Sequence, residues 1–286
     1  MIKDIAERLE FPDDAIESLS LCDESLHEYE SEMITAEKSL FTPKCDKYLE
    51  ILENISQKSG VDRKAIDMVF MLRSAIPLAD KYREAGYSDR FFNETMADLR
   101  FKLMECKDIF DTWGTFVTPW FKGFYLLERF KIGRMQYERI EFPFDDYKGI
   151  VKKGDIVLSC HIPSDGHLLQ EDAKESLREA YKFYENDRKN GKIAVMCFSW
   201  LLYSPIFANY KECSNLKKFY NLFDVIENKQ SQTNPDFWRV FKIRYSPETL
   251  ESIKADNSLK RAILNHIKNG GSMGSGTGII IVDGNY

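Results

Sequence analysis

His161 stands near the end of an apolar run, Ile156 to Ile162, and Glu138 lies inside a second extended segment, Ile132 to Phe142. A histidine at a strand end can accept a proton near neutral pH. A carboxylate can do so directly or through a water. Immediately after the apolar run comes Pro163-Ser164-Asp165-Gly166-His167-Leu168, followed by a helical pattern from Gln170 to Tyr184. The first turn of a helix carries unpaired N–H groups and the positive end of the helix dipole, so a loop that opens a helix can hold a phosphate-like anion. Gly166 lets the backbone approach such a group closely, and His167 can reach it. Each residue also has a structural reading. His161 can be a satisfied structural histidine, Glu138 a solvated strand position, His167 an exposed loop residue, and the loop an ordinary turn with a helix cap.

The elements that must position these groups fall into two regions. From the start to about residue 130 the apolar spacing is helical. Tyr48, Leu49, Leu52 and Ile55 recur at three- and four-residue intervals, with Gly60 as the C-cap. Asp62 caps a second helix that carries Ile66, Val69, Phe70, Leu72 and Ile76 and kinks at Pro77. Ser88-Asp89 opens a third, with Phe91, Phe92, Met96, Leu99 and Leu103 on its apolar side. The region from Asp111 to Phe130, rich in aromatics, reads as a buried joint between domains 1–125 and 126–286.

Beyond it, Ile132 to Phe142 alternates with a slip near Glu138-Arg139 that reads as a bulge. Ile156–Ile162 and Ile193–Leu202 read as strands, Leu216 to Leu222 as a short helix, Phe223–Asn228 and Phe237–Tyr245 as a strand pair, Thr249 to Lys268 as mostly helix, and Gly278–Asp283 as a last strand. The glycine-rich stretch 270–278 lacks the Gly-Lys-Ser/Thr ending of a phosphate loop and runs from helix to strand, so it reads as a flexible connection. The expected class is α+β: an all-α N-terminal domain, then a mixed sheet flanked by helices.

The 286 residues include 43% hydrophobic and 30% charged side chains, a globular composition, and the net charge of −6 argues against a general nucleic-acid binder. The first eight residues are charged and amphipathic, and no run is long enough to span a bilayer. The six cysteines form no CxxC pair and have no zinc-finger spacing, so they read as free core thiols, and no metal is expected. Together these point to a cytoplasmic protein with no membrane or nucleic-acid partner. There is no G-x-S-x-G elbow for a serine hydrolase.

The order of elements in the second region resembles the GNAT fold. Ile156–Ile162, the loop from Pro163 and the Gln170–Tyr184 helix match its central strand, turn and helix. Ile193–Leu202, Asn215-Leu216-Lys217-Lys218-Phe219-Tyr220 and Leu222-Phe223-Asp224 match its next strand, short helix and corner, with Leu222 where the family has glycine. Ile132-Gly133-Arg134-Met135-Gln136-Tyr137-Glu138 and His161-Ile162-Pro163-Ser164-Asp165-Gly166 resemble a bacterial group of acyltransferases in which a helical N-terminal domain precedes a GNAT-like C-terminal domain.

The resemblance implies an N-acyltransferase, an acetyltransferase in the first instance, that uses acetyl-CoA or another acyl-CoA and transfers directly to a small-molecule or peptide amine. It implies pyrophosphate binding by Ile162, Pro163, Ser164, Gly166, His167 and Leu168, a contact from Asn215, proton acceptance by His161 or Glu138, and proton donation by Tyr220. Tyr220 equally reads as a half-buried packing residue. The family's loop has more glycines than this one, and Asp165 would sit near a diphosphate. Both features suit the alternative of a non-catalytic GNAT-like scaffold carrying a helical partner- or ligand-binding module. Arg129, Arg134 and Arg139 can meet an anionic cofactor or lie on the surface.

Overall fold

The computed structural model describes residues 2–208 and 210–285. It divides into two compact units, residues 1–131 and 132–286. The first contains α1 (Ile2–Arg8), α2 (Asp13–Ser25), α3 (Glu30–Leu40), α4 (Lys47–Ser59), α5 (Arg63–Glu84), α6 (Asp89–Met96), α7 (Asp98–Phe110) and α8 (Lys122–Tyr125). α4 buries Tyr48, Leu52 and Ile55 and ends at Gly60, whose φ of 73° is the left-handed value that favours glycine. Asp62 caps α5 by accepting from the Lys64 amide at 2.8 Å, and Ser88 caps α6 by accepting from Phe91. The expected single helix after Ser88 is two, broken at Ala97. The aromatics of the 111–130 region pack within this unit: Tyr125 donates to the Met71 carbonyl at 2.5 Å and Trp120 to Asp98 at 2.7 Å.

β1 (Arg129–Ile132) carries the chain toward the second unit, which contains β2 (Met135–Glu141), β3 (Asp146–Tyr147), β4 (Val151–Lys152), β5 (Ile156–His161), α9 (Gln170–Phe183), β6 (Lys192–Ser199), α10 (Ser204–Phe207), α11 (Asn215–Tyr220), β7 (Asp224–Gln230), α12 (Phe237–Phe241), α13 (Pro247–Ser252), α14 (Ser258–Lys268) and β8 (Gly274–Asp283). From β2 onward the main sheet runs β2-β5-β6-β8-β7. Only the β5–β6 pair is parallel among the pairs β2–β5, β5–β6, β6–β8 and β7–β8.

Three readings change. The expected bulge at Glu138-Arg139 is absent, because β2 pairs residue for residue with β5 from Gln136↔His161 to Glu141↔Ile156. The two adjacent polar residues simply face opposite ways: Glu138 meets His161, while Arg139 pairs with Asp187 at 2.8 Å. The real break is the turn at Gly133, φ 60°, between β1 and β2. Second, Phe237–Tyr245 is not a strand. Phe237 and Phe241 stack at 4.1 Å across one turn of α12, a four-residue spacing that belongs to a helix. β7 pairs instead with β8, and the 43 residues between them carry α12, α13 and α14. The expected long helix 249–268 is accordingly two shorter ones, α13 and α14.

Third, the glycine-rich stretch is not a flexible connection. Gly274, Gly276 and Gly278 are strand residues, and a Cβ on Gly276 would lie 2.0 Å from the Leu202 carbonyl oxygen, on Gly278 2.7 Å from Phe223 Cβ. The glycines let the 3-10 turn Trp200–Leu202 press backbone to backbone against the sheet.

One sheet face is covered by α9, through Ala173, Ser176, Leu177 and Ala180. Ser176 donates to the Ile132 carbonyl at 2.5 Å, accepts from the Met135 amide at 3.1 Å and meets the Tyr137 hydroxyl at 2.9 Å. Half of the opposite face is covered by the β3–β4 hairpin, whose Tyr147 and Val151 pack on Phe142, Val157, Ala194, Met196 and Ile279. All six cysteines are free.

Gly276→Ala should destabilise the protein by about 1–3 kcal/mol, since rigid backbone must move. Ser275→Ala next to it should stay within about 0.5 kcal/mol. Urea unfolding monitored by circular dichroism measures both, and equal midpoints would refute the close-packing account.

Candidate active site

The half of the sheet face that the hairpin leaves uncovered lies toward the carboxyl ends of β5 and β6. In α/β sheets ligands favour the carboxyl ends of parallel strands. The strand register decides which side chains reach this face. Glu138 is opposite Ser159 and Gln136 opposite His161, so Glu138 and His161 are diagonal neighbours on one side of the β2–β5 ladder. His161 Nε2 lies 2.7 Å from Glu138 Oε1, and their side chains are 23% and 20% exposed. When Nε2–H is donated to Glu138, Nδ1 keeps its lone pair and is the basic atom of the ring. The two sequence candidates for proton acceptor are therefore one unit: the carboxylate orients the imidazole.

Parallel pairing of β5 with β6 runs from Leu158↔Val195 to Cys160↔Cys197 and ends there. β6 continues along β8 through Phe198↔Thr277 and Ser199↔Gly276. β5 stops at His161, and two residues later Pro163 has no N–H to extend a ladder. Phe198, one residue past the last pair and on the same face as His161 and Glu138 by register, is 59% exposed, an unusual position for a phenylalanine.

The chain leaving β5 is held by Arg134. Its Nη1 donates to the Pro163 carbonyl at 3.0 Å, Nη2 to that of Gly166 at 3.2 Å and Nε to that of His167 at 3.2 Å. Burial lowers the Arg134 pKa from its usual value, while the nearby Asp165 and Asp172 carboxylates oppose that shift. Among the described residues no peptide bond is cis. In a trans peptide the N–H points opposite to the preceding C=O. With the carbonyls of Pro163, Gly166 and His167 drawn onto the guanidinium, the amides of Ser164, His167 and Leu168 point away from it. Asp165 lies close enough to Arg134 to interact with its charge. Gly166 has φ 68° and open space where a side chain would be. Ser164, Gly166 and His167 are exposed, Ile162 is half-buried, and Pro163 and Leu168 are buried. α9 then begins at Gln170 with no side-chain cap and with Glu171 and Asp172 in its first turn.

Tyr220 is the last residue of α11. Its hydroxyl meets Ser204 Oγ at 3.0 Å, and the Lys217 ammonium sits 4.7 Å from its ring centre. α11 is tied to the start of α9, because Gln170 donates to the Lys218 carbonyl at 3.2 Å. Asn215 is exposed at the first position of α11, where Ser214 provides the cap by accepting from the Lys217 amide. Arg139 is engaged with Asp187, and Arg129 with the Trp120 carbonyl at 2.6 Å. Among the described residues no cluster of three or more His, Cys, Asp or Glu could hold a metal ion, and no helix is long and apolar enough to cross a membrane.

Sequence reasoning missed Arg134 as the clamp of the loop and Phe198 and Ser204 as members of the site. Phe198 was hidden in the continuous apolar run 193–198, where both strand faces read alike. The other two depend on contacts 29 and 16 residues away in sequence.

A model of a GNAT-like C-terminal domain matches residues 129–280, and a model of an N-acyltransferase N-terminal domain matches residues 1–126. No curated protein matches the sequence. Among solved structures, an acyltransferase in complex with decanoyl-CoA and teicoplanin is 18% identical, with a TM-score of 0.74 over 98% of this chain and 87% of that one. A mutant acyltransferase in complex with octanoyl-CoA is also 18% identical, with a TM-score of 0.71 over 97% of this chain and 86% of its own. At such identity these two share the fold. With the GNAT-like model covering more than half the sequence and the other model covering most of the rest, the chain belongs to the family that joins an N-acyltransferase N-terminal domain to a GNAT-like C-terminal domain.

Proposed function

We propose that the protein is an acyl-CoA-dependent N-acyltransferase that transfers directly to an amine. The observation that carries this reading is the end of β5–β6 pairing after Cys160↔Cys197, beside a loop whose carbonyls are gathered by Arg134. The pantetheine arm would lie along the end of β5 near Ile162. The diphosphate would meet the outward amides of Ser164, His167 and Leu168, next to Gly166 and the start of α9. Asn215, at the exposed start of α11, is positioned to touch the same cofactor. The solved structures of similar fold hold octanoyl- and decanoyl-CoA. The exposed ring of Phe198 offers an apolar surface for an acyl chain longer than acetyl.

The reaction forms a C–N bond and breaks a C–S bond. The amine nitrogen attacks the thioester carbonyl, and its proton passes to Nδ1 of His161, with Glu138 holding the ring and stabilising the imidazolium that forms. The departing thiolate takes a proton from Tyr220. The Ser204 hydroxyl orients the phenol, and the Lys217 ammonium lies 4.7 Å from the centre of its ring. The acceptor is an amine of a small molecule or peptide.

A non-catalytic scaffold is the second reading. Glu171 and Asp172 in the first turn of α9 favour it, since they place negative charge near the proposed diphosphate.

Calorimetric titration with acetyl-, octanoyl- and decanoyl-CoA separates the two readings, and absence of binding by all three would refute the enzyme. Tyr220→Phe should lower turnover about 10- to 1,000-fold with little change in acyl-CoA affinity. Unchanged turnover would remove Tyr220 from the chemistry. Arg134→Lys, which cannot reproduce a planar three-carbonyl clamp, should weaken acyl-CoA binding and destabilise the fold by about 1–2 kcal/mol. A variant equal to the parent in both would show that the clamp does not shape the loop.

A further inference from the structure

The helical unit contains a cavity of about 280 Å³ among α1, α2, α3 and α5 that the transfer chemistry does not use. Its apolar wall includes Met33, Phe70 and Ile76. Its polar lining is not balanced. Arg73 is consumed by Asp23 and by Glu30, the latter at 2.6 Å. Glu37 also lines the cavity, and among the described residues its carboxylate has no ion-pair partner within 4.0 Å. Burial raises its pKa above the usual carboxylate value, and the opposing cation, Lys81, rests on the Phe41 ring at 3.4 Å. Ser74, another lining residue, is fully buried, and its Oγ has no hydrogen-bond partner. Pro77 sits inside α5 and offers no N–H to the carbonyl of Arg73, one turn earlier.

A half-buried carboxylate and an unpaired hydroxyl line the cavity, and both can accept. An ammonium has three donors and no acceptor, and its charge answers the lone carboxylate. The apolar wall calls for hydrocarbon beside that charge. A cavity of about 150 Å³ admits benzene, so this volume suits an aromatic ring with a short arm. We propose that the cavity binds a primary monoamine with an apolar body, of the arylalkylamine class, at a site built from residues of the helical unit.

The test is calorimetric titration of the full chain with 2-phenylethylamine and with its neutral counterpart 2-phenylethanol. The amine should bind once per chain, with the alcohol at least about tenfold weaker. Glu37→Gln and, independently, Ser74→Ala should weaken the amine, the former by about tenfold or more, while Glu138→Gln leaves it unchanged. Equal affinity for amine and alcohol, no binding up to about 10 mM, or loss of binding in Glu138→Gln with retention in Glu37→Gln would overturn the proposal. That last result would place the amine at the acceptor site instead, and it would leave the transferase reading standing.

Discussion

Parallel pairing between β5 and β6 ends at Cys160↔Cys197, and one side chain governs where the chain goes next. Arg134, just past the Gly133 turn, binds the carbonyls of Pro163, Gly166 and His167 with its planar fork. That one interaction fixes the direction of the loop, and through peptide planarity it also fixes the direction of the loop's amides. The start of α9 and, through Gln170, the position of α11 follow from it. A flexible ammonium could supply the charge but not the geometry.

The remainder of the second unit serves to keep this half-open edge rigid. Ser176 of α9 fastens the β1–β2 turn with three hydrogen bonds. The β3–β4 hairpin seals the amino-terminal half of the opposite face and leaves Glu138, His161 and Phe198 at the other half. The glycines of β8 let the Trp200–Leu202 turn lie on the sheet, which brings Ser204 to the Tyr220 hydroxyl. Functional polar groups thus sit on a frame held by the Ser176 hydrogen bonds and the packed glycines, which limits their reorganisation when charge develops.

Much of this was legible from local patterns. Helical spacing, the caps at Gly60 and Asp62, the helix start at Ser88-Asp89, and the order of strand, loop and helix around Pro163 are properties of neighbouring residues, and the structure has them. What escaped depends on register and long-range packing. Glu138 and His161 were each visible as strand residues, but their pairing needs the β2–β5 alignment. The polar doublet Glu138-Arg139 imitated a bulge because both faces of β2 carry a polar function at that level. The glycines of 274–278 imitated a flexible linker because glycine's use as a spacer between packed backbones leaves no local trace. Phe237 and Phe241 imitated a strand because aromatic residues favour β structure until a partner one helical turn away claims them.

The central claim is that the amides between Ile162 and Leu168 face a bound diphosphate. Amide hydrogen exchange with and without a saturating acyl-CoA measures this directly. The account predicts slowed exchange at Ser164, His167, Leu168 and the first turn of α9, with little change in the helical unit. An acyl-CoA that binds while exchange in that loop stays as fast as before would contradict it.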